Sequence, residues 1–322
     1  MSTYGGPVVD AHHHVWQPRL GRQPWLRPEA AISFRYGDYS PLKRDYMPED
    51  LRADAASAGV RLVGSVTMET EWEEEDPVGE MDWTTAVAER EGLPTACVAH
   101  ALLERPDVDD VLAQLAARPL VRGVRQKPGQ AGSPAQADRH PTLMGDPAWR
   151  RGYAGLARHG LGFELQTAWW HLHEAVDLVR SSPATTVVVN HAGLPSDRSD
   201  EGLAGWEAAM RQVAAVDQVL VKVSGIGRPD APWTAEGNRR VVETCVELFG
   251  TRRTMLASNF PVDGLTATYA EVYGGFREIT AGWSPEEQLD VFARTAVRHY
   301  ALPPTLLEDL PEDPLDDPAT TR

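Results

Sequence analysis

Cysteine is scarce in this 322-residue chain: there are two, Cys97 and Cys245, far apart and set inside apolar segments. They form no CxxC-type pair, which excludes a disulfide framework and a thiolate zinc site. Long apolar runs are missing too, and the N-terminal "MSTYGGPVVD" has no charged segment leading into an apolar one. Neither a membrane span nor a secretory leader is expected, and the composition reads as that of a cytoplasmic globular protein. Positive charge is short as well: Lys+Arg number 31 against 47 Asp+Glu, a formal net charge of −16. Nucleic acid and anionic membrane both require a basic face, so the balance argues against either partner and for a small molecule.

What is present is alternation. Short apolar or β-branched runs occur at 7–15, 61–69, 94–103, 121–126, 161–166, 185–193, 218–225 and 254–262. Helical patterns lie between most of them. In "DPAWRRGYAGLARHG", Asp146 suits an N-cap, Pro147 the first helical position and Gly160 the terminating glycine; "AEGNRRVVETCVELFG" shows helical spacing closed by Gly250. Eight strands with intervening helices predict a parallel sheet, and eight is the number that closes a single-domain (β/α)8 TIM barrel. The expected division is a barrel over residues 1–302 and a mobile, acidic, Pro-rich tail over 303–322. The segment 16–47, rich in Pro, Trp, Tyr and Arg, is long for a β1–α1 loop and is expected to act as a lid.

In such a barrel the chemistry sits at the carboxyl ends of the strands. The first run ends in His12-His13-His14. Strand alternation puts His12 and His14 on one face with Asp10 below them, and turns His13 away. Other polar strand ends are Glu69, Arg125, Gln126, Glu164, Gln166, Asn190, His191, Lys222, Ser224, Ser258 and Asn259. Polar groups at the ends of apolar runs are costly to bury without partners, so their recurrence points to a shared pocket. A hydrogen-bonded core pair is the plainer reading of His12 and His14, and a solvated charge run that of Glu73, Glu74 and Glu75.

The ordered set "VDAHHHVW", "FELQ", "VVNHAGLP", "VKVSG" and "ASNFPVD" resembles the amidohydrolase superfamily, in particular its amidohydrolase-2 branch of lactonases and non-oxidative decarboxylases. The resemblance runs from about residue 7 to 302 and implies a barrel with His12, His14 and His191 at the catalytic histidine positions. Some members bind one divalent metal there, zinc or manganese, and some lactonases work with none. The cofactor expectation is accordingly none or one such ion, held by His12, His14 and His191. One departure stands out: relatives that use a metal or hydrolyse carry an Asp at the end of strand 8, where this chain has Asn259. Neutral Asn is not basic and is a poor zinc ligand. Asp263, four residues on, could swing back into the site, but its place beyond Pro261 favours a cap of the following helix.

Glu69 is the expected proton-transfer group, its acidic neighbours tending to raise its pKa. Arg125 and Lys222 are the cations expected at the mouth to meet a carboxylate or oxyanion, unless they pair internally with Glu69 or Glu164. Gln126, Glu164, Gln166 and Trp169 are the remaining candidate substrate contacts. The leading functional reading is a hydrolase acting on a lactone or similar cyclic ester, carboxylated or polyhydroxylated. A non-oxidative decarboxylase, and a natural-product tailoring or ligand-binding barrel, are the alternatives. Barrels of this size often pair, so a homodimer is also an expectation.

Overall fold

The computed structural model describes residues 4–308. Eight parallel strands are bonded in chain order: β1 (Pro7–His13), β2 (Arg61–Met68), β3 (Ala96–His100), β4 (Val121–Arg125), β5 (Gly162–Leu165), β6 (Val187–Val189), β7 (Val219–Val223) and β8 (Thr254–Leu256). Helices α1 (Pro48–Ser57), α2 (Gly79–Glu91), α3 (Val108–Ala116), α4 (Pro147–Leu156), α5 (Leu172–Ser181), α6 (Asp200–Ala214), α7 (Ala235–Phe249) and α8 (Tyr269–Ile279) cover the outside. Val-rich strands such as "VVV" and "VLVKV" are buried on both faces, the environment a parallel sheet imposes. The result is the (β/α)8 barrel that the alternation predicts.

The seam between β8 and β1 is closed by two backbone bonds at the site itself. Asn259 N–H donates to the His12 carbonyl at 2.7 Å, and His14 N–H to that of Phe260 at 2.8 Å. Below the seam, Val9, Ala11, Val66, Met68, Val98, Val188 and Met255 pack with the C-terminal helical segment, which contributes Ala293, Ala296 and Tyr300. Each fully buried aliphatic side chain there is worth roughly 1.5–3 kcal/mol, so the core is a rigid base for the loops above it.

Local signals explain the helix ends. The Asp146 carboxylate accepts the N–H groups of Ala148 (2.8 Å) and Trp149 (2.9 Å), capping α4 with Pro147 in its first turn. Gly160 then takes the left-handed conformation after a short 3-10 turn. The 16–47 segment is folded: a bridge between Trp16 and Tyr46 ties its base, and Trp25 packs on Trp16 and Phe34. At the other terminus, Leu306 and Leu307 rest against the barrel interior cluster, so the start of the expected tail is docked. Residues 309–322, on which the rest of that expectation falls, lie outside the described residues.

Candidate active site

The ladder between β1 and β2 slips between Asp10 and His13, so simple alternation does not carry to the end of the strand. His12 and His14 still converge, with ring centroids 5.5 Å apart, and His191 lies 4.6 Å from His12. Asp10 does not join them. Its carboxylate accepts the Ser258 N–H (3.0 Å), the Ser258 hydroxyl (2.6 Å) and the Tyr269 hydroxyl (3.1 Å), tying β1 to the strand-8 loop and α8. His13 is fully buried, its Nδ1 3.4 Å from the His14 carbonyl.

All three converging imidazoles are neutral near neutral pH. Burial lowers the pKa of each, to about 3 for His14, and neighbouring cations reinforce the effect. Those cations are Lys222 and Arg125 at His12, Arg125 at His14, and Arg35, Arg125 and Lys222 at His191. His14 Nδ1 lies 3.2 Å from the Met68 carbonyl oxygen. A carbonyl can only accept, so Nδ1 carries the proton and Nε2 is left with its lone pair. His191 Nδ1 pairs with the Ser224 hydroxyl at 3.0 Å, whereas neither ring nitrogen of His12 has a partner.

The expectation of an elevated Glu69 pKa is overturned. Burial is the largest single influence and opposes its charge, but the Arg125 guanidinium, His100, Lys127 and the Glu71 N–H together outweigh it and hold the carboxyl well below the usual range. Arg125 Nε donates to Glu69 Oε1 at 2.6 Å, its Nη2 to the Glu69 carbonyl at 2.9 Å, and its Nη1 to Gln166 at 3.1 Å. The acid that is pushed up, to about 8, is Glu80 on α2, through burial and the charge of Glu69. Lys222 does not reach the mouth: it is fully buried, with Nζ 3.0 Å from Glu164, which also accepts from Asn190 and Tyr300. Gln126 turns outward, accepting from Leu103 N–H (2.9 Å) and Trp149 Nε1 (2.7 Å). Trp169 packs on Trp170 and against Gly193 and Gly205 rather than in the pocket.

A cavity of about 410 Å3 opens above the histidines, walled by His14, His191, Asn259, Glu69, Arg125 and Gln166. The remaining walls include Trp16, Trp25, Phe34 and Arg35 from the lid, with Glu71, Lys127 and Gln130. The lid's aromatic and arginine content signalled such contacts; nothing in the sequence signals Gln130. Arg35 reaches the centre of the site. A Cβ on Gly225 would lie 2.4 Å from His191 Nδ1 and 2.7 Å from Arg35 Nη2, so a glycine, here at φ +57°, is required for both to fit. Of the six non-glycine residues with positive φ among the described residues, Glu71, His191, Leu194 and Asn259 line this cavity. Such strain is retained where surrounding structure over-determines it.

Asp263 is not the cap of α8; Thr268 is, in a capping box with Glu271. Instead Asp263 is buried behind Asn259 and accepts its Nδ2 at 2.7 Å.

The unpartnered nitrogens of His12 are the one observation here that favours a bound cation. Two others oppose it. No group of three or more His, Cys, Asp or Glu side chains is arranged to hold a metal among the described residues. The carboxylates at hand, Glu69 and Asp263, are committed to Arg125 and to Asn259, Tyr36 and Arg35. As arranged, these residues do not fit a divalent metal centre.

A family model described as amidohydrolase matches residues 9–302. An L-fucono-1,5-lactonase of Burkholderia multivorans is 27% identical over 320 residues, covering 93% of this chain and 97% of the relative. Protein y4mH of Sinorhizobium fredii is 34% identical over 294 residues, 91% of this chain and 98% of its own. A crystal structure of an amidohydrolase from Burkholderia multivorans with bound zinc superposes with a TM-score of 0.76 at 25% identity, covering 92% of this chain and all of that one.

Proposed function

The chain belongs to the amidohydrolase family, and from that premise we propose that it hydrolyses the ring ester of a small lactone carrying carboxylate or hydroxyl groups. The observation that carries this reading is His14. It is a neutral imidazole with its Nε2 lone pair free, at the wall of a cavity that a small ring can enter. The 27% identity to two L-fucono-1,5-lactonases supports it.

In this mechanism a water molecule is held against the lactone carbonyl with Asn259 as hydrogen-bond acceptor. His14 Nε2 takes a proton as the oxygen adds to the carbonyl carbon. The Glu69 carboxylate favours the imidazolium that forms, the role its charge already plays toward His14. Glu69 is therefore a counter-charge and not the base. Negative charge develops on the former carbonyl oxygen in a mouth lined by Arg125 and Arg35. Collapse of the tetrahedral adduct breaks the ring C–O bond, and the departing alkoxide recovers the proton from His14. The lid aromatics Trp16, Trp25 and Phe34 supply apolar walls for the ring, while Gln166 and Gln130 offer polar contacts for its substituents.

Turnover of a panel of γ- and δ-lactones, neutral and carboxylated, followed by acid release, tests the reading. Ring opening of at least one carboxylated or hydroxylated member is expected. Release of carbon dioxide from hydroxybenzoates with no lactone opened would replace it with decarboxylation.

A further inference from the structure

Asn259 lines the same cavity as His14 and His191, and its side chain has one degree of freedom that matters: which end of the amide faces that cavity. Its backbone is fixed. Asn259 N–H donates to the His12 carbonyl at 2.7 Å, its own carbonyl accepts the Asp263 N–H at 3.0 Å, and φ is +58°. With these held, a rotation of the amide exchanges an acceptor for a donor at the cavity wall.

The neighbour that decides this is Asp263. A carboxylate is acceptor-only, and its Oδ1 takes Asn259 Nδ2 at 2.7 Å. The nitrogen is thereby spent, and Oδ1 is the polar atom Asn259 has left for the cavity it lines; among the described residues no donor reaches it. The same Asp263 oxygen accepts the Tyr36 hydroxyl at 3.0 Å and Arg35 Nη2 at 3.4 Å, both from the lid. Asp263 is 1% exposed, so these contacts are shielded from competing water.

We propose that Asp263 is a positioning residue with two separable duties: it fixes the Asn259 amide with its oxygen toward the histidines, and it anchors the lid through Tyr36 and Arg35. The first duty makes the strand-8 position an acceptor that orients the attacking water; the second holds Arg35 beside His191. The kinetic consequences rest on the hydrolytic reading, but the hydrogen-bond assignment does not.

The chain contains three asparagines, Asn190, Asn238 and Asn259, so selective 15N-asparagine labelling yields three side-chain amide pairs, and Asn259→Ser identifies the one of interest. In the wild-type protein the Asn259 amide protons should exchange slowly with solvent. Tyr36→Phe should preserve that protection and raise KM with kcat within twofold. Asp263→Ala should abolish the protection and lower kcat at least tenfold. Asp263→Asn, which keeps a carbonyl able to accept from Asn259, should restore much of both.

Fast exchange in the wild-type protein overturns the assignment with no variant needed. So does an Asp263→Ala variant that keeps the protected amide, or one whose kcat falls no further than that of Tyr36→Phe. A protein that opens no lactone removes the hydrolytic reading, and the amide exchange still decides the hydrogen-bonding role of Asp263.

Discussion

At the scale of single residues, charge pairing decides what each polar strand end does. Glu69 and Arg125 are each about 97% buried or more and meet at 2.6 Å. Removing one partner from such a pair leaves an uncompensated buried charge and costs about 3–5 kcal/mol. Arg125→Met should therefore lower the denaturant midpoint sharply, and adding Glu69→Gln should recover part of the loss. If the double variant is no more stable than Arg125→Met, Glu69 is not the charge that Arg125 neutralises. The histidines, Glu69, Arg125 and Asn259 were legible as strand-end residues because polar side chains closing apolar runs have few structural uses. Their ionisation was not legible. Acidic neighbours in "ETEWEEEDP" suggested a raised pKa for Glu69, but the strongest counter-charge is Arg125, 56 positions away and brought in by β4. Lys222 and Glu164 satisfy one another across β7 and β5, the internal pairing that was the alternative to a place at the mouth, and strand order alone does not choose between the two.

At the scale of elements, the lid is joined to the barrel through helix α2. Glu80, in the first turn of α2, accepts Thr70 N–H at 2.7 Å and the Thr70 hydroxyl at 2.5 Å. Thr70 in turn accepts Gln23 Nε2 at 3.2 Å and, through its carbonyl, Trp25 Nε1 at 2.8 Å. Burial and the Glu69 charge push the Glu80 carboxyl from 4.5 up to about 8. The folded state thus keeps a proton that the unfolded chain releases near pH 4.5, so this group's contribution to stability falls as pH rises from 4.5 to about 8 and levels above. Glu80→Gln should remove that slope, leaving the variant more heat-stable than wild type at pH 9. Parallel melting curves from pH 5 to 9 would show that Glu80 does not titrate in this range. Alternation, caps and the position of the lid could be read locally, since strand runs and N-cap residues act over a few positions. The slip in the β1–β2 ladder could not, and neither could the seam that spends Asp10 on Ser258 and Tyr269. Both depend on how β1 meets β2 and β8 when the barrel closes.

At the scale of the whole molecule, a chain of net charge −16 gathers Arg35, Arg125 and Lys127 at one mouth, above three neutral imidazoles. Glu69 and Glu71 partly balance those cations, leaving Arg35, with only its 3.4 Å contact to Asp263, as the cation least committed to a carboxylate. An anionic or oxygen-rich small molecule would meet a locally favourable field there. No helix of the described residues is long and apolar enough to cross a membrane. The barrel supplies rigidity, and strand ends far apart in sequence supply the chemistry. The measurement that bears on this most directly compares kcat/KM for lactone opening by wild-type protein and by His14→Gln and His191→Gln. Losses of about 100-fold or more with unchanged melting temperatures are predicted, the scale of a lost proton-transfer group; rates within twofold of wild type would contradict a histidine site at the β1–β8 seam.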